Sequence, residues 1–127
     1  MAQDRASGAA AAEWGRKTAR ALARQLGATA PVGTSNECLL DGSRVVIKCA
    51  APATISVGVT FHMLEKLDVV VGAFQRDDGA FELWSLTAPL FKHHMRDTRS
   101  RSSAGKVGIV GRDLFEAKGK ALGKVRL

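Results

Sequence analysis

A chain of 127 residues, 46% of them hydrophobic, has room for one domain with one modest core, and this composition excludes general disorder. The formal net charge is +7 and the isoelectric point about 10.0. Residues 1–91 carry nine basic and nine acidic side chains, whereas residues 92–127 carry ten basic and three acidic, so the whole excess lies in the last third. A field clustered in that way attracts a polyanion, although a solubilising face or a basic tail is the plainer reading. No apolar run of roughly 18 residues is present, which excludes a transmembrane helix. Asp4 and Arg5 ahead of an alanine run make a poor signal peptide, so the default expectation is a cytoplasmic protein. No strongly amphipathic basic helix accompanies the charge, which weakens membrane headgroups as a partner.

In chain order, residues 1–8 read as disordered. A helix follows over Ala9–Leu26, with Trp14, Ala19, Leu22, Ala23 and Leu26 near the helical period and Arg16, Lys17, Arg20 and Arg24 on the other faces. Gly27, Pro31 and Gly33 end it in a loop. A strand over Glu37–Leu40, an Asp41-Gly42 turn and a second strand over Arg44–Ala50 form a hairpin, which Pro52 ends. Residues 53–60 read as loop, and Phe61–Leu67 as a short helical or irregular piece. Asp68–Phe74 is almost wholly apolar after its first residue, as a central strand is. Asp77-Asp78-Gly79 turns into a strand over Phe81–Leu86. Pro89 opens a helix to about Arg96. Residues 97–106 form a polar, flexible, basic segment. Val107–Val110 is a small strand and Arg112–Ala121 a last short helix. Residues 9–127 thus make one α/β domain, a mixed central β-sheet flanked by helices. Cys38 and Cys49 lie in apolar strand patterns and read as buried thiols rather than a disulfide or half of a zinc site.

The chemistry concentrates in the stretch Glu37-Cys-Leu-Leu-Asp-Gly-Ser-Arg-Val-Val-Ile-Lys48. Alternation puts Val46 and Lys48 on one face of the second strand, and the hairpin brings Glu37 near Lys48. Phosphodiester hydrolysis needs an activated water and neutralised phosphoryl oxygens, which a carboxylate-held divalent cation supplies. A neighbouring lysine can orient the water or stabilise the phosphoryl oxygens. Glu37 and Lys48 suit such a site, with Glu13 reaching in from the helix. A surface salt bridge between Glu37 and Lys48 is the bland alternative. Trp14, Phe74 and Trp84 read as core, and His62 as structural.

The same residues resemble the restriction-endonuclease-like nuclease superfamily, the PD-(D/E)XK proteins. Members commonly show an acid-leading strand, a glycine turn and an acid-any-lysine strand, which Glu37, Gly42 and Lys48 match. Glu13 resembles the family's helical glutamate, and the strands around Asp68–Phe74 and Phe81–Leu86 resemble the pair that follows the motif. The resemblance spans residues 9–117. It implies a restriction-endonuclease-like fold and a metal-dependent endonuclease acting on DNA. Glu13 and Glu37 would hold Mg²⁺ or Mn²⁺, and Glu37, Lys48 and Glu13 would form the catalytic set. Independently of the resemblance, the charge of Lys92, His93, Arg96, Arg99, Arg101 and Lys106, and the flexibility of the 97–106 segment, suit them to hold the nucleic-acid backbone. A homodimer would serve to cut both strands. Val46 departs from the family, standing where the second acid belongs, and valine cannot ligate a metal. Two further readings therefore stand beside the enzyme. One is a non-catalytic nucleic-acid-binding protein on the same fold, which a dry apolar patch around Val46 would favour. The other is a structural subunit of a phage or mobile element, which a large apolar surface patch and no basic cleft would favour.

Overall fold

A computed structural model describes residues 2–29, 37–97 and 105–127, with residues 2–9 described by backbone alone. In chain order the elements are α1 (Ala2–Leu26), β1 (Glu37–Leu40), β2 (Ser43–Ala50), β3 (Ser56–Thr60), α2 (Phe61–Leu64), β4 (Val69–Gln75), β5 (Phe81–Thr87), α3 (Ala88–His94), β6 (Arg96–Asp97), β7 (Val107–Gly111), α4 (Arg112–Lys118) and β8 (Lys120–Val125). The main sheet is mixed, in the order β1-β2-β4-β5-β8, and a second sheet runs β3-β7-β6.

The β1–β2 hairpin follows from its turn. Asp41 and Gly42 both take positive φ, 52° and 82°, the requirement of a two-residue turn matched to strand twist. β2 then pairs with β4 in parallel, and parallel neighbours need a crossover. That crossover carries β3 and α2, and it builds the second sheet over one face of the first.

The central strands of the main sheet are buried on both faces, which explains the apolar run of β4. On one face Val46, Ala50, Val70 and Phe74 pack against Val57 and Val59 of β3, Phe91 of α3 and Phe115 of α4. Phe115 meets Phe74 edge-on at 5.5 Å between centroids and Phe91 at 6.4 Å. On the other face Ala19, Leu22 and Ala23 of α1 cover Val45, Ile47, Val71 and Leu83, and Trp14 reaches Phe81 at 6.2 Å. The molecule is therefore layered: α1, the main sheet, then the second sheet with α2, α3 and α4.

Several boundaries differ from the sequence expectation. α1 begins at Ala2 rather than Ala9. Residues 56–60, expected as loop, form β3; Gly58 masks the strand pattern, yet β7 supplies five pairing partners for it. The last helix stops at Lys118, and β8 follows where helix was expected through Ala121. Gly119 is the cause. A Cβ there would stand 2.5 Å from the carbonyl oxygens of both Phe115 and Ser85, so only glycine lets the chain pass between helix and strand.

Candidate functional site

Cα pairing across the hairpin sets Glu37 opposite Val46. Glu37 therefore shares a face with Val46, Arg44 and Lys48, and stands diagonal to both cations. The nearer contact goes to Arg44, whose Nη2 lies 3.3 Å from Glu37 Oε1. The Arg44 main-chain N–H donates to Asp68 Oδ2 at 2.8 Å. An arginine rather than Lys48 thus takes the Glu37 salt bridge.

Lys48 is half-buried. Its Cα partner on β4 is Gly72, above which the Phe74 and Phe115 rings lie, at 2.7 Å and 3.2 Å from where a Cβ would be. Burial holds the Lys48 ammonium below its ordinary pKa, with a smaller opposing influence from Cys49. Among the described residues Lys48 has no hydrogen bond or ion pair.

The remaining carboxylates do not gather around it. Glu13 sits on α1, which packs on the opposite face of the main sheet, and pairs with Lys17 at 3.2 Å. The structure therefore does not bring Glu13 to Glu37 and Lys48. Val46, at the position of the missing second acid, is fully buried among Ala50, Val57, Val59 and Val70. Glu82 lies on β5, three strand positions from β1 and so about 14 Å across the sheet, and it pairs with Arg76 at 3.6 Å. Asp68 is engaged at the Arg44 end of β2. No group of three His, Cys, Asp or Glu side chains suited to a metal exists among the described residues. These residues do not fit Mg²⁺ or Mn²⁺ held by Glu13 and Glu37.

Cys38 and Cys49 are free thiols, both on the α1 face. Burial pushes Cys49 up to about 12 despite Lys48 beside it, and burial followed by Glu37 raises Cys38. Both stay protonated at neutral pH, so neither serves as a thiolate nucleophile.

The expected nucleic-acid contacts fall in the layer opposite α1. Lys92 and His93 are exposed on α3, and Arg96 is exposed on β6. Lys92 and Phe61 border one shallow depression with Met95, and the Lys106 carbonyl accepts the Phe61 N–H at 2.8 Å, which draws Lys92 and Lys106 to one end of the second sheet. Both Asp97 carboxylate oxygens accept the Gly105 N–H at 3.0 Å, closing the β6–β7 connection. Arg99 and Arg101, on that connection, lie outside the described residues. Arg112 was not singled out from sequence. It lines a cavity of about 440 Å³ with Arg96, Ser56, Asp113 and Glu116. Only the pairing of β6 with β7 makes these two arginines neighbours, and no local pattern signals it.

No protein-family model matches the chain, and no curated protein matches it.

Proposed function

We propose that the protein binds nucleic acid through the phosphate backbone, with DNA as the expected partner, rather than cleaving it. One observation carries this reading. Lys92, Arg96, Lys106, Arg112, Lys118 and Lys120 form no ion pair among the described residues, and they supply most of the excess charge of the last third. Unneutralised cations of this kind bind by displacing counterions from a polyanion, and such contacts position without specifying sequence. The buried valine at position 46 supports binding over cleavage. Two free thiols suit the reducing cytoplasm expected for the protein. Exposed large apolar side chains among the described residues are Leu39, Ile55 and Leu127. Leu39 and Leu127 lie toward opposite edges of the main sheet, which gives no support to an assembly subunit.

A second reading, the endonuclease, is favoured by Lys48, a lysine on the same face as Glu37 and without an ion pair among the described residues. Labelled linear, nicked and branched DNA, incubated with Mg²⁺ or Mn²⁺, separates the two. Retention of all substrates intact, with binding that weakens about 10³-fold or more between about 50 and 200 mM salt, is the expected result. Metal-dependent cutting lost in Lys48→Ala would replace the binding reading with the enzyme.

A further inference from the structure

Opposite the basic layer lies another cationic surface. Between Trp14 and Asn36 the sequence contains no Asp or Glu, and this acid-free stretch includes the C-terminal half of α1. At 100° per residue, Arg16, Lys17, Arg20 and Arg24 fall within an arc of about 100°, centred about 140° from the buried Thr18, Ala19, Leu22 and Ala23, with Arg16 at the edge nearest the buried side. Lys17, Arg20 and Arg24 are exposed and Arg16 half-buried. Glu13 neutralises Lys17, while Arg16, Arg20 and Arg24 have no ion pair among the described residues. These three stand at successive four-residue steps, where like charges repel along a helix. Glu13 lies on the same face at its N-terminal end, and beyond it no acid of α1 interleaves with the arginines to relieve that repulsion. A phosphate backbone relieves it instead. The stripe is about 12 Å long at 1.5 Å per residue, the span of three to four phosphates of one strand at 3.4 Å.

The geometry points to α1 as a second nucleic-acid contact, so that one chain holds two separate segments. This rests on the reading of the opposite layer as a backbone-binding surface. The main sheet separates the two surfaces, with α1 on one face and the second sheet on the other. A straight duplex laid on one outer layer leaves the other free.

The test is native mass spectrometry of the full chain with short DNA duplexes, together with energy transfer between donor- and acceptor-labelled duplexes. Two duplexes per chain and protein-dependent transfer are expected. The combined Arg16→Ala, Arg20→Ala and Arg24→Ala variant should bind one duplex and lose transfer. Its remaining affinity should change less than about twofold, since distant sites act nearly independently. Alanine favours helix, and circular dichroism checks that α1 persists. The Arg→Lys triple variant keeps the charge and should keep both duplexes. One duplex per wild-type chain with no change in the alanine variant overturns the second contact while leaving backbone binding intact. No duplex bound by the wild type overturns both. Sedimentation with phosphatidylserine vesicles, abolished by the alanine triple in a protein that gives no duplex bridging, would assign the stripe to a lipid surface and overturn the proposal.

Discussion

Gly15 sits within α1, where a Cβ would meet nothing within 4 Å. Its cost there is conformational entropy in the unfolded chain, so Gly15→Ala should stabilise the fold by about 0.5–1 kcal/mol, measured by urea denaturation. Gly119 is the opposite case. Two carbonyl oxygens occupy the space of its missing side chain, and Gly119→Ala should destabilise by about 1–3 kcal/mol in the same measurement. Cys49 carries a pH dependence. Its folded pKa, about 12, lies above the unfolded value of about 8.5, so its contribution is complete below about pH 8.5 and is lost as pH rises toward 12. Stability should therefore fall by about 2 kcal/mol between about pH 8.5 and 10.5, and Cys49→Ala should flatten that fall. Lys48 has the opposite sign. Burial lowers its pKa, so the charged form burdens the fold at neutral pH and is relieved as pH rises through the lowered value. Lys48→Met should leave neutral-pH stability unchanged or raised, and should steepen the alkaline fall by removing the offsetting group.

α1 is held by a narrow set of contacts. Leu22 is fully buried against the main sheet, and Leu22→Ala should cost about 2–5 kcal/mol by denaturant unfolding. β1 and β8 are the edge strands of the main sheet. β8 carries exposed Lys120 and Lys124, charges that discourage pairing with another chain. Arg126 ties its end to the β4–β5 turn, donating from Nη1 to the Asp78 carbonyl at 2.9 Å and pairing through Nη2 with Asp78 Oδ2 at 3.2 Å. The sequence of β8, with a positive-φ Gly123 and few β-branched residues, has little strand character alone. Its place beside β5 supplies the missing preference, because tertiary pairing overrides weak propensity.

Across the whole molecule, the main sheet divides two cores and, with them, two cationic surfaces. No helix among the described residues is long and apolar enough to cross a membrane. The combined Lys92→Ala, Arg96→Ala and Lys106→Ala variant should weaken DNA binding at that layer and reduce the salt slope there by about three, close to 0.9 per lost contact. Fluorescence anisotropy across a salt series reads that change directly.

The sequence alone determined the elements whose signals are local. The Asp41-Gly42 turn needs only two residues able to take positive φ, and the alternation of β2 needs only its own neighbours. The apolar run of β4 marks a strand covered on both faces, and the helical period of Trp14, Leu22 and Leu26 marks the buried side of α1. The placement of Glu37 on one face with Lys48 followed from the same alternation. Which face α1 covers was decided by tertiary structure, because it depends on packing between residues far apart in the chain. That choice separates Glu13 from Glu37 and leaves the Val46 face to be buried by the second sheet and its helices, while the Glu37 salt bridge to Arg44 comes from the hairpin register. It also turns the arginines of α1, legible only as a helix's polar side, into a surface facing away from the rest of the charge.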